Sequence, residues 1–150
     1  MTLQEGDPAP QVSARNQYGE TVEPDFSKPT VVYFYPKDDT PGCTVEAEQF
    51  DAELETYHDA GVQVFGVSAD DVDSHADFAE KYDIEFDLLA DTEGELVDAF
   101  GVGTRSGGLP ERTTFVIDDG EVRATYTGVD PDGHAREVMM DMLDAGLAEL

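Results

Sequence analysis

Every residue of Thr30-Val31-Val32-Tyr33-Phe34-Tyr35 is β-branched or aromatic, and apolar and polar positions do not alternate. A strand written this way is covered on both faces, as in a sheet packed between layers of helix. Pro36 ends the run. The segment 62–67 repeats the pattern, and 86–89 reads as another strand. The segments 113–117 and 121–126 form a hairpin across Asp118-Asp119-Gly120. Helical periods fill the gaps. Ala47, Phe50, Leu54 and Tyr57 share one face, glutamates crowd the other, and Gly61 caps the end. Val72, Ala76, Ala79 and Tyr82 mark a second helix, and 95–100 a short one. A last helix over about 133–147 shows Val138, Met139, Met142 and Leu143 on its apolar side. Residues 1–30 are irregular and broken by Pro8, Pro10, Pro24 and Pro29. Short strands are expected at 11–15 and after the turn Asn16-Gln17-Tyr18-Gly19, and 101–110 is a glycine-rich loop. Strands alternating with helices, then a hairpin and a helix, predict one α/β domain spanning 1–150 with a central mixed sheet.

The charge limits what such a domain binds. Acidic residues number 35 against 8 basic ones, a net charge of −27. Phosphate backbones and anionic membranes repel such a surface, so no nucleic-acid and no membrane partner is expected. The acids are interleaved with regularly spaced apolar residues, which describes a folded domain with an acidic skin and not a disordered tail. Self-repulsion weakens that fold at low salt. At ~1 M salt the Debye length falls to roughly 3 Å and the repulsion is screened. Three lysines (Lys28, Lys37, Lys81) against twenty aspartates fit a halophilic, salt-rich cytoplasm. No basic start or apolar stretch follows Met1, and no run is long enough to span a membrane, so a cytoplasmic location is expected.

Cys43 is the single cysteine, which excludes an internal disulfide and a multi-cysteine zinc site. A free cysteine often just fills core space. Cys43 instead follows Pro41-Gly42 outside the apolar runs, where strand hands over to helix. Unpaired backbone N–H groups and the positive end of the helix dipole favour an anion there, so the position suits a reactive thiolate. Thr40, three residues earlier, can present its hydroxyl on the same side of the turn. Gly42 lets the backbone approach a ligand closely, and Pro36 can shield the thiol from water. Arg112 opens an otherwise apolar strand. It either pairs with an exposed carboxylate at the strand end or serves a buried anion.

Pro36-x-x-x-Thr40-x-x-Cys43 resembles the active-site motif of the peroxiredoxins. The string Tyr33-Phe34-Tyr35-Pro36-Lys37-Asp38-Asp39-Thr40-Pro41-Gly42-Cys43-Thr44 is similar to their bacterioferritin comigratory protein (peroxiredoxin Q) branch, within the AhpC/TSA superfamily. Pro110-Glu111-Arg112-Thr113-Thr114-Phe115-Val116-Ile117-Asp118 looks like that branch's arginine-bearing strand. Gly6-Asp7-Pro8-Ala9-Pro10 and Gly66-Val67-Ser68 also fit, in the expected order. The resemblance implies a thioredoxin-like fold with an N-terminal extension. It implies a thiol-dependent peroxidase for hydrogen peroxide, and for organic hydroperoxides, with no metal or organic cofactor. Cys43 would be the nucleophile, and Arg112 would hold it ionised and polarise the peroxide. Thr40 and the N–H groups of Gly42 and Cys43 would hydrogen-bond the substrate. Glu46 would either orient Arg112 or be a solvated helix glutamate.

The chain departs from the branch at one place. Many members carry a resolving cysteine five residues after the nucleophile, and here that position is Glu48. A one-cysteine cycle with an external thiol or thioredoxin-type reductant is expected, in a monomer or weak homodimer with a static active-site helix. The alternative is a peroxide-sensing regulatory thiol protein with little turnover. A domain that kept the fold and lost the chemistry would have an unreactive Cys43. The other features are expected to be ordinary: His58, His75 and His134 exposed, Asp38-Asp39 and Asp70-Asp71-Asp73 solvated. The methionines of the last helix are expected in core and rim. Asp130-Pro131-Asp132-Gly133, only weakly like a calcium loop, is read as a turn into that helix. Phe26, Tyr35 and the 101–110 loop are candidates to flank the site or a subunit contact.

Overall fold

The computed structural model describes residues 2–150; Met1, where the expected 1–150 domain begins, lies outside the described residues. A seven-stranded mixed sheet runs in the order β2-β1-β5-β4-β3-β6-β7. The strands are β1 (Ala14–Arg15), β2 (Thr21–Val22), β3 (Thr30–Phe34), β4 (Gln63–Ser68), β5 (Asp87–Ala90), β6 (Thr113–Asp118) and β7 (Glu121–Thr127). At the centre, β3 is parallel to β4 and antiparallel to β6. Every residue of β3 is buried, as its unalternated composition requires.

Alternate residues of the central strands feed two separate cores. Val31, Tyr33, Val64, Leu88 and Val116 face α1 (Pro41–Ala52), α2 (Leu54–Asp59), α3 (Val72–Tyr82) and α5 (His134–Asp144). Val32, Phe34, Phe65, Val67, Phe115 and Ile117 face α4 (Glu95–Phe100) and the N-terminal segment. Phe50 on α1 stacks on Tyr33 with ring centroids 4.5 Å apart, which docks the helix on the sheet. Among the described residues no helix is long and apolar enough to cross a membrane.

Several local expectations need correction. The helix expected across Ala47, Phe50, Leu54 and Tyr57 is two helices, with Glu53 between them at φ −95° and ψ 1°. Neither Gly nor Pro marks the break. Arg136 of α5 grips the Glu53 carboxylate there, at 3.1 Å from Nε and 2.7 Å from Nη2. The buried face of α3 is His75, Phe78 and Ala79, rotated from the expected Val72, Ala76, Ala79 and Tyr82. His75 is therefore buried, His134 at the start of α5 is buried as well, and His58 is exposed as expected. Asp38 is buried because three donors surround its carboxylate. Phe26 packs on Phe100 in the layer opposite Cys43, so it does not flank the site.

Candidate active site

Thr40 is the N-cap of α1, with Pro41 as the first helical residue, where its missing N–H costs nothing. Cys43 thus sits in the first turn. Gly42 and Cys43 are among the opening residues whose N–H groups have no partner inside the helix. The Thr40 hydroxyl makes no capping bond. It donates to the Lys37 carbonyl at 2.9 Å, so the first-turn N–H groups stay free of it.

Cys43 is buried, contrary to its reading as a residue outside the core. Helical spacing explains this: Cys43 stands four residues before Ala47 and seven before Phe50, on the same buried face. Strand register supplies its partner. Thr113 pairs with Phe34, so Arg112 lies one step beyond, level with Tyr35. Antiparallel partners point to the same side of a sheet. Arg112 therefore faces the α1 layer, as Tyr35 does. Its Nη2 is 3.3 Å from Cys43 Sγ, and its Nη1 donates to Glu46 Oε1 at 3.0 Å. Gly42 completes the cluster. A Cβ there would fall 2.6 Å from Arg112 Nη2 and 3.5 Å from Pro131 Cγ, so only glycine leaves room for the guanidinium.

Glu46 is buried, not solvated; its side chain is 1% exposed. Burial pushes its carboxyl up to about 7, against the opposing pull of Arg112. Its Oε2 and the Tyr33 hydroxyl are the buried side-chain atoms without a partner among the described residues. Desolvation, with the charges of Glu46 and Cys43 nearby, holds the Tyr33 phenol well above its ordinary range. Arg112, Cys43, Glu46 and Gly42 are thus brought together. Thr40 and Pro36 enter by chain connection, and Pro36 is buried at the end of β3.

Two features of the surroundings carry no motif. Gln49, two turns along α1, donates from Nε2 to Asp132 Oδ1 at 2.8 Å and accepts from Gly133 N at 2.6 Å. This ties the turn before α5 to the third turn of α1. Beyond Pro36, Asp38 takes hydrogen bonds from Tyr35 Oη at 2.6 Å and Ser74 Oγ at 2.9 Å, with His75 Nδ1 at 2.7 Å. Asp38, Asp70 and His75 offer ligand atoms within 4.8 Å of one another. Internal hydrogen bonds engage all three atoms, which leaves no vacant donor set aimed at an ion.

A buried thiol at a helix N-terminus against an arginine, on a thioredoxin-like sheet, defines a peroxiredoxin. The chain belongs to the AhpC/TSA family, whose model matches residues 5–125. Among curated relatives, peroxiredoxin Bcp of Bacillus subtilis is 37% identical over 154 residues, covering 96% of this chain and 98% of that protein. The chloroplastic peroxiredoxin Q of Oryza sativa subsp. japonica is 39% identical over 142 residues; they cover 91% of this chain and 65% of that longer protein. Among solved structures, peroxidoxin BcpB of Mycobacterium tuberculosis superposes with a TM-score of 0.87 at 31% identity, covering 95% of this chain and 97% of that one. The particular relatives are thus of the Bcp and peroxiredoxin Q kind, as the motif string implied.

Proposed function

We propose that Cys43 reduces peroxides by a one-cysteine cycle. The single observation carrying this reading is the 3.3 Å approach of Arg112 Nη2 to Cys43 Sγ. A charge-assisted hydrogen bond of this kind favours the thiolate, the attacking form. The sulfur attacks one peroxide oxygen; an S–O bond forms as the O–O bond breaks, and the departing oxygen leaves as water or an alcohol after taking a proton. Arg112 and the free N–H groups of Gly42 and Cys43 stabilise the charge developing on that oxygen. The Thr40 proton is engaged by Lys37 carbonyl, so its oxygen is left to accept the O–H of the bound peroxide. Glu46 holds the guanidinium from behind, and Pro36 keeps water from the thiol.

Cys43 becomes a sulfenic acid. An external thiol attacks its sulfur, releasing water and leaving a mixed disulfide. A second thiol, free or thioredoxin-type, then releases Cys43 as a thiol and departs as the oxidised disulfide. With Glu48 where many relatives place the resolving cysteine, no internal route competes. Such a cycle draws on the thiol supply of the cytoplasm, and the acidic surface suits a salt-rich one.

The test is a rapid-quench intact-mass series on the reduced protein in molar salt, with one equivalent of hydrogen peroxide and a Cys43→Ser control. One added oxygen on Cys43, gained orders of magnitude faster than on free cysteine, supports the reading. Oxidation at the free-cysteine rate overturns it. Stoichiometric oxidation without turnover across several thiols replaces the peroxidase by a peroxide sensor.

A further inference from the structure

The loop that carries Thr40 is fastened almost entirely to α3. Its Asp38 carboxylate meets Ser74 Oγ and His75 Nδ1 near the start of that helix. Its Asp39 carboxylate meets Lys81 Nζ at 2.8 Å and Tyr82 Oη at 2.7 Å near the end. Between these anchors Asp39 adopts φ 57°, a left-handed conformation that costs a non-glycine residue on the order of 1 kcal/mol. The backbone N–H of Asp38 donates to Asp70 Oδ2, itself held by Ser68 Oγ. The loop is thus a strained segment held at several points, and His75 is the anchor most remote from solvent.

His75 is fully buried and reaches two ways. Nδ1 is 2.7 Å from Asp38 Oδ2, and Nε2 is 3.1 Å from the Leu89 carbonyl of β5. Filling core space would be done better by an apolar side chain, since a buried polar ring costs desolvation. The imidazole instead links the loop to the sheet.

We propose that His75 is a positioning residue for the peroxide reaction: through Asp38 it sets the loop that aims Thr40 at the substrate. Among the described residues no member of this network hydrogen-bonds Cys43 Sγ, whose partner Arg112 arrives from the residue just before β6. The site therefore divides into two supports: β6 serves the thiolate, and α3 serves the peroxide. Loss of His75 leaves the buried Asp38 carboxylate with Tyr35 Oη and Ser74 Oγ only, so Oδ2 loses the shorter of its two contacts and the Asp38–Thr40 segment shifts. Peroxide reactivity falls while thiolate reactivity stays.

This inference rests on Thr40 acting on peroxide as described above. The experiment compares second-order rates of Cys43 with hydrogen peroxide and with iodoacetamide, which needs the thiolate but not Thr40. His75→Leu is expected to lose about tenfold or more in the peroxide rate, in line with the cost of small misplacements, while iodoacetamide stays within about twofold. His75→Asn keeps an amide donor where Nδ1 stood and regains most of the loss. His75→Gln keeps only the reach towards Leu89 and does not. Both rates falling together, or neither falling, overturns the proposal. Equal peroxide-to-iodoacetamide ratios in the Asn and Gln variants overturn it even if His75→Leu fails to fold. A wild-type protein slow with peroxide removes the peroxidase reading itself. A fast wild type with unaffected variants removes only the role of His75.

Discussion

Arg112 Nη2 lies 3.3 Å from Cys43 Sγ, although 69 positions separate the two residues in the chain. The contact depends on the β3–β6 register, because the Phe34–Thr113 pair carries Arg112 to the level of the loop before α1. Arg112→Met is expected to lower the peroxide rate by roughly two to three orders of magnitude, the usual cost of one positioned donor. Arg112→Lys should recover little, because one ammonium cannot bridge sulfur and carboxylate as the guanidinium fork does. Stopped-flow oxidation of both variants measures this, and a near-wild-type lysine variant would show that charge alone suffices.

Gly42→Ala separates stability from chemistry. The added Cβ would lie 2.6 Å from Arg112 Nη2, and the flexible tip of the arginine, not the backbone, gives way. Alanine suits the helix better than glycine, by at most about 1 kcal/mol. The thermal midpoint should hold or rise slightly while the peroxide rate drops about tenfold or more through the displaced guanidinium. Paired melting and oxidation curves decide it.

Glu46 makes stability depend on pH. Burial raises its folded value to about 7 from 4.5. Between those values the folded chain keeps a proton that the unfolded chain has released. The contribution is complete below 4.5 and is lost as pH rises through about 7. The unfolding free energy from urea titrations, wild type minus Glu46→Gln, should therefore fall across that window by an amount on the order of a few kcal/mol. A flat difference would mean that Arg112 outweighs burial.

Much of this fold was legible and part of it was not, for reasons that differ by residue. The strands β3, β4 and β6 declared themselves because burial on both faces leaves only apolar choices. The meeting of Cys43 with Arg112 was legible through the motif string. The burial of Cys43 was also available, from its spacing to Ala47 and Phe50. His75 had a similar signal, three and four residues before Phe78 and Ala79, but its neighbours Asp73, Ser74 and Asp77 disguised the face. Asp38 had none. Its burial is made by Tyr35, Ser74 and His75, and two of these lie some three dozen residues away. Polar clusters assembled from distant segments leave no local period, and the Gln49 clasp on Asp132 and Gly133 is hidden for the same reason.

That clasp, with the grip of Arg136 on Glu53, predicts a helix that stays folded during turnover. Amide exchange across residues 43–52 should be unchanged when Cys43 is oxidised. Gln49→Ala should speed exchange in the later turns of α1, around the clasp. Acceleration in the oxidised wild type would show that the helix opens.

Salt should act on the whole molecule. With a net charge of −27, the thermal midpoint should rise by several degrees between ~0.1 M and ~1 M potassium chloride as the Debye length shrinks from about 10 Å to roughly 3 Å. A midpoint indifferent to salt would mean that local pairs already neutralise the surface.

The distance in sequence between Cys43 and Arg112 also orders events at the ribosome. Synthesis runs from the N-terminus, so the nucleophile leaves the exit tunnel long before its cation is made. Until β6 zips against β3, the nascent thiol has no guanidinium beside it and reacts like any ordinary cysteine. The arginine joins the sulfur only when the sheet is finished, so an incomplete or misfolded copy carries no more than an ordinary thiol.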